Sequence, residues 1–274
     1  MPPSVGPLES VEKVASSNTV VDFPGRLSFF APYLPYHIKE AIEVGGEAFI
    51  SRNPGGDISG VFICDGYERT GTIYTRTKRV FDYFCGLKKA ETIFAELKTG
   101  RESEIYDIHL VDFHGLETGH RFRHVVEVAD ERNVTEVERF MEATHPGTNK
   151  RWVRVAMANG EGCLVIRLAD GIAAEGWVSL VNGVGRLHSL FVRPPYRGMG
   201  MGEDVLFARF LWLETRGARS AFSEISRNNF PSSKIASKGQ MKIAGQVYRY
   251  AAGPGSPRSA APSAKPRKTG QSDD

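Results

Sequence analysis

Apolar residues recur along this chain in two rhythms, one suited to strands and one to helices. Period-two alternation runs through EIYDIHLVDF (104–113). Short apolar runs bounded by turn residues mark GEAFISR (46–52), SGVFICD (59–65), GTIYTR (71–76) and TIFAELK (92–98) as further strands. NPGGD (53–57) is the turn between the first two of these. YHIKEAIEVGG (36–46) reads as a short helix stopped by Gly45 and Gly46, and VFDYFCGL (80–87) as a helix ending near Gly86. After the turn HGLETGH (114–120), RFRHVVEVA (121–129) returns as a strand. In NVTEVERFMEAT (133–144), Val134, Val137, Phe140 and Met141 fall at helical spacing.

The remaining pattern is strand-rich. GCLVIRLAD (162–170), GWVSLVN (176–182) and GRLHSLFV (185–192) read as three successive strands. MGEDVLFARFLWLETRG (201–217) reads as a helix, with Glu203 and Asp204 in its first turn, where the helix dipole favours them, and Gly217 as its stop. Phe207, Phe210 and Trp212 on that helix are core residues by the same periodicity. RSAFSEIS (219–226) is a strand, FPSSKIASKG (230–239) a short helix begun near Pro231, and GQVYRYA (245–251) a final strand. The expected organisation is a loose leader over 1–22, an α/β domain over 23–123, a second α/β domain over 124–252 and a disordered basic tail over 253–274. No internal sequence repeat stands out.

Charge narrows the classes of function. Lys and Arg number 35 against 32 Asp and Glu, a net charge of +3. Arg258, Lys265, Arg267 and Lys268, set against Asp273 and Asp274, place most of that excess in the tail. A nearly neutral body is no footprint for nucleic acid. The 3 cysteines, Cys64, Cys85 and Cys163, share no metal-ligand spacing and read as reduced core thiols. With no apolar run long enough to span a membrane and no secretion-type leader, the expectation is a soluble cytoplasmic protein.

The chemically informative stretch is Val192-Arg193-Pro194-Pro195-Tyr196-Arg197-Gly198-Met199-Gly200-Met201-Gly202, a loop between a strand and a helix. Glycine at alternate positions lets the backbone approach a ligand closely and directs successive N–H groups into one concavity. The helix N-terminus and Arg197 add positive charge, so the stretch suits a diphosphate. It is neither of two common phosphate loops. The dinucleotide fingerprint needs glycine where Glu203 stands, and the Walker loop needs Gly-Lys-Ser/Thr where Met201-Gly202-Glu203 stands.

The loop resembles the acetyl-CoA loop of the GCN5-related N-acetyltransferase (GNAT) superfamily, V-x-P-x-x-R-G-x-G-x-G, without a gap. Ile225-Ser226-Arg227-Asn228-Asn229 resembles the family's V-x-x-x-N, and SKIASKG (233–239) its last helix. The resemblance implies an α/β protein whose second half is a mixed-sheet GNAT-like acyltransferase domain. It implies acetyl-CoA as co-substrate. The backbone of Leu190, Phe191 and Val192 would bind pantetheine like an added strand. Arg197, Gly198, Met199, Gly200, Met201 and Gly202 would cradle the diphosphate, and Asn229 would approach the pantetheine arm. At two points the chain departs from the family: Ala236 stands where a tyrosine often protonates the leaving thiolate, and Gln240 where the closing phenylalanine is usual.

The implied reaction is direct acetyl transfer to a primary amine on a small molecule, peptide or protein. The alternative is a non-catalytic acyl-CoA-binding or regulatory module. The amine needs a base, for which His188 and Glu224 are the candidates, with Glu175 behind them. Each also has a plainer reading, as a strand residue paired with a neighbour or on a solvated face. Ser232, Ser233, Tyr248 or Tyr250 would replace the missing acid, unless the thiolate leaves unaided. The acceptor would be read by variable loops, His145–Lys150 and Asp170–Glu175. His109, His114, His120 and His124 crowd one region without a metal-ligand spacing and read as a histidine-rich surface hairpin, so no metal is expected. The smaller first domain has no glycines in its corresponding Thr75-Arg76-Thr77-Lys78 connection. It reads as a diverged copy of the same fold, which completes the substrate cleft or mediates pairing as a homodimer.

Overall fold

A computed structural model describes residues 10–15, 28–65, 69–116, 119–146 and 150–251. The strands are β1 (Ser10–Lys13), β2 (Glu47–Arg52), β3 (Ile58–Asp65), β4 (Thr70–Thr75), β5 (Thr92–Ala95), β6 (Glu104–Asp112), β7 (Glu127–Ala129), β8 (Gly162–Leu168), β9 (Gly171–Val181), β10 (Val184–Val192), β11 (Ser220–Ser226) and β12 (Lys242–Ala251). The helices are α1 (Leu34–Glu43), α2 (Lys78–Gly86), α3 (Val134–Thr144), α4 (Lys150–Ala158), α5 (Met201–Glu214) and α6 (Phe230–Lys238).

All 12 strands join one mixed sheet in the order β1-β2-β3-β4-β5-β12-β6-β11-β10-β9-β8-β7. Its pairs are antiparallel except β4 with β5 and β10 with β11, each joined through a helix, α2 or α5. The order is symmetric about the central β12/β6 pair. Five strands of the first half lie on one side and five of the second half on the other. The last strand of each half has crossed over. β6 pairs with β11 of the second half, and β12 pairs with β5 of the first. Two copies of one topology thus complete each other, although no sequence repeat announced it.

The cores follow the same exchange. Phe30, Tyr33 and Leu34 of the first half pack with Phe222 and Val247 of the second. The Tyr33 hydroxyl donates to the carbonyls of Ser179 and Val184, each at 2.9 Å. α1 also meets the second half through Lys39–Asn159 (2.8 Å), Asn159–Glu43 (2.8 Å) and Trp152–Glu40 (2.7 Å).

Several expectations needed correction. Ser10–Lys13, placed in the loose leader, is an edge strand on β2, followed by a buried Val14 whose N–H donates to the Ala48 carbonyl (2.9 Å); residues 1–9 and 16–22 of that leader and the tail 253–274 lie outside the described residues. RFRHVVEVA shrinks to Glu127–Ala129, because the N–H groups of Arg123 and His124 go to the Asp204 carboxylate and not to a strand ladder. The second helix of the pair, α4, was not anticipated, although Val153 and Ala156 are buried at helical spacing. Phe207, Phe210 and Trp212 are buried core residues, as the periodicity required.

Candidate active site

β10 and β11 pair only from Val184 to Arg186, after which they diverge. β11 keeps its partner β6 on the far side through Ser226, so the split opens between β10 and β11 alone. On the other edge of β10 the register with β9 slips between His188 and Phe191, and Ser189 takes φ +50°. This bulge bends the strand outward at the split. The free edge of β10 from Leu187 to Val192 therefore keeps backbone groups available to an added strand.

At the end of β10 stands the glycine loop. Gly198 and Gly200 have φ +83° and +91°, values that L side chains rarely adopt. The N–H groups from Gly198 to Gly202 make no hydrogen bond among the described residues, and α5 has no side-chain cap. Asp170 braces the loop from below, accepting from the Tyr196 hydroxyl (2.7 Å) and pairing with Arg193 (2.9 Å). Arg197 donates to the Val192 carbonyl (3.1 Å) and lies over the Phe191 ring. Met201 turns its side chain into the core and Met199 outward, so both serve the loop through their amides.

A second cation reaches the loop from far along the chain. A Cβ built on Gly200 would lie 2.6 Å from Nη1 of Arg123. The Arg123 segment is pinned by the Asp204 carboxylate. That group accepts from His120 Nε2 and His124 Nδ1, both at 2.7 Å, and from the backbone N–H groups of Arg123 (3.2 Å) and His124 (3.0 Å). These donors hold the buried Asp204 carboxyl below the usual range despite its burial. His120 also stacks on Phe207. The expected histidine-rich hairpin is thus a clasp on α5, with His109 buried on β6 and only His114 exposed in a turn.

The split leads into a cavity of about 710 Å³ between the two halves. Leu190, Ser226, Asn229 and Ala236 of the second half and His37, Glu40, Tyr74 and Tyr106 of the first half line it. Asn229 spends its side-chain oxygen on the N–H of Ser232, capping α6. Ser232 lines the cavity; Ser233 does not. Tyr248 and Tyr250 belong to the first half's core, their hydroxyls bound to Gln246 (2.7 Å) and Leu97, and drop out as acids.

Of the proposed bases, His188 faces the cavity and Glu224 is already committed. Glu224 forms two contacts of 3.2 Å with Arg186, so its carboxylate serves as a counter-ion. His188 Nε2 lies 3.0 Å from Oε2 of Glu161, which also accepts from the Tyr36 hydroxyl. Burial opposes the charge of Glu161, but His188 and Tyr36 outweigh it and hold the carboxyl low. In the neutral imidazole an Nε2–H donated to Glu161 leaves the lone pair on Nδ1, where the Ser189 hydroxyl lies at 3.4 Å. Trp152 and Trp177 flank the imidazole. Glu161 and Tyr36 were not anticipated. Nearby, burial and then the charge of Glu161 push Glu40 up to about 7. Glu175 is fully buried beneath Phe191, 3.6 Å from His145, and burial pushes it up to about 8; it does not line the cavity.

Among the described residues of the two loops expected to read the acceptor, His145–Lys150 and Asp170–Glu175, none lines the cavity. Asp170 braces the glycine loop instead, and residues 147–149 of the other loop lie outside the described residues. Among the described residues no group of three His, Cys, Asp or Glu side chains is placed to hold a metal, and no helix is long and apolar enough to cross a membrane.

No protein-family model matches the chain, and no curated protein matches it. Solved structures do match in fold. A tandem GNAT protein from the clavulanic acid biosynthesis pathway superposes with TM-score 0.59 at 12% identity, over 90% of this chain and 100% of that one. A GCN5-related N-acetyltransferase from Sphaerobacter thermophilus gives 0.57 at 14%, over 76% of this chain and 81% of that one. A GNAT-family acetyltransferase from Colwellia psychrerythraea gives 0.55 at 13%, over 88% and 99%. The fold is therefore GNAT-like, and its likeness extends over both halves of the sheet.

Proposed function

We propose that this chain transfers an acetyl group from acetyl-CoA to a primary amine bound in the cavity between its halves. The observation that carries the reading is the run of unbonded amides from Gly198 to Gly202, set at the mouth of the β10/β11 split. Five N–H groups at a helix N-terminus, with Arg197 and Arg123 beside them, suit a diphosphate. The loop was open to refutation by a carboxylate of the protein filling it. The side chains that come within 3 Å of a Cβ built on its glycines are instead the Arg123 guanidinium at Gly200 and the Ile235 methyl at Gly202, neither of which brings an acceptor, and the first adds charge of the required sign.

From that anchor, a pantetheine arm laid along the free edge of β10 passes Val192, Phe191 and Leu190 and brings its thioester to the bulge at Ser189. His188 stands there. Its Nδ1 takes the proton from the amine as nitrogen attacks the thioester carbon, and Glu161 orients the ring and stabilises the imidazolium. The two indoles and the wall supplied by α1 keep the imidazole largely from water.

The test combines coenzyme A calorimetry with thiol release over a panel of amines. Coenzyme A is expected to bind, and His188→Ala is expected to lower kcat about 100-fold with the KM for acetyl-CoA little changed. No binding to the folded wild-type chain would refute the reading. Binding without turnover on any amine would favour a non-catalytic acyl-CoA module, for which Ala236, buried where the related fold often carries its acid, is the specific motive.

A further inference from the structure

Arg209 sits on α5, two turns beyond the glycine loop, and is only 3% exposed. Its Nη1 donates to the carbonyls of Trp177 (3.2 Å) and His188 (3.3 Å), the last register pair before the β10 bulge. Its Nε has no hydrogen-bond partner. Burial works against its charge, and no neighbouring carboxylate offsets that. Gly176 makes room for it: a Cβ there would lie 3.2 Å from Arg209 Nε and 2.6 Å from Val205. Arg209 lines the cavity together with Leu206 and Ala236.

A guanidinium keeps its proton, so this is a buried cation without an anion. The diphosphate does not supply one. At a helical rise of 1.5 Å per residue, Arg209 stands about 10 Å along α5 from Gly202. It is the bulge that lies against Arg209, and resting on the acetyl-transfer reading, the bulge is where the thioester arrives. We infer that Arg209 stabilises the coenzyme A thiolate as it leaves, in place of a general acid. Nitrogen of the amine bonds to the carbonyl carbon, and the tetrahedral adduct collapses with cleavage of C–S. The electron pair stays on sulfur opposite Arg209, and the amine proton rests on His188. Ala236 then needs no replacement, because the leaving group departs as an anion into a site that lacks one.

The experiment is a spectroscopic titration of the coenzyme A thiol bound to the full chain, read by thiolate ultraviolet absorbance after subtraction of the unliganded protein. A cation in contact lowers a thiol midpoint by about 1–3 pH units. Wild type should therefore hold coenzyme A with a midpoint at least about one unit below that of the free compound, a tenfold larger thiolate fraction at neutral pH. Arg209→Lys should keep the shift and Arg209→Met should abolish it and lower kcat by about tenfold or more. A purely structural role at the bulge would change both variants alike and leave the wild-type midpoint normal. Bound coenzyme A that titrates like free coenzyme A in the wild type overturns the role of Arg209, whether or not the variants fold. Failure of coenzyme A to bind refutes the transfer reading itself, a distinguishable result.

Discussion

Replacing Gly200 with alanine probes the anchor most directly. At φ +91° an alanine carries about 1–2 kcal/mol of backbone strain. For a chain of 274 residues that lowers Tm by roughly 2–4 °C. The new methyl would also meet Nη1 of Arg123 at 2.6 Å. That atom is the tip of a flexible side chain, so it swings aside at little cost to folding but leaves the loop. Gly198 is the internal control: its φ is +83° and nothing lies within 4 Å of a Cβ there. Gly198→Ala should match Gly200→Ala in Tm while leaving Arg123 in place. In calorimetry with coenzyme A, Arg123→Ala should weaken binding about 10–100-fold, the worth of one charge-assisted contact of about 1.5–3 kcal/mol. Gly200→Ala should include that same loss. The double variant Gly200→Ala/Arg123→Ala should then fall short of additivity by about that amount, whereas Gly198→Ala/Arg123→Ala should be additive. Unchanged affinity in Arg123→Ala, or additive losses in the Gly200 pair, would show that Arg123 has no part in holding the diphosphate.

Three further outcomes follow from the buried carboxylates. Glu161→Gln removes the acceptor of His188 Nε2–H and should lower kcat about 10–100-fold in steady-state assays with acetyl-CoA KM unchanged; an unchanged kcat removes Glu161 from the mechanism. Glu175 stays protonated in the folded protein up to about pH 8, whereas in the unfolded chain it ionises near 4.3. Unfolding through that window releases a proton, so this residue lowers stability as pH rises, by up to about 1.4 kcal/mol per pH unit. Glu175→Gln should therefore gain stability over the parent from about pH 5 to pH 8 in urea titrations, and parallel profiles would contradict the shift. Asp204 has the opposite sign: its lowered carboxyl contributes stability above about pH 4 that is lost as pH falls through its folded value. Asp204→Ala leaves four donors without their acceptor and should cost about 3–5 kcal/mol by chemical denaturation, with the acid limb of the stability profile flattened.

What the sequence determined by itself was local. The strand, loop and helix from Gly185 to Gly217 were legible because period-two alternation, alternate glycines and a first-turn acid pair act over a few residues. His188 was found for the same reason, as a titratable side chain on a strand beside that loop. Tertiary structure alone decided its partner and its cleft. Tyr36 and Glu161 meet across 125 positions of chain, and Asp204 draws His124 and Arg123 from about 80 positions away. The exchange of β6 and β12 between the halves left no periodic trace either, since each strand alternates identically whichever neighbour receives its hydrogen bonds. Local signals encode which backbone groups need partners; only the folded sheet sets which distant side chains stand at hydrogen-bond distance, and the proposed chemistry rests on those pairings.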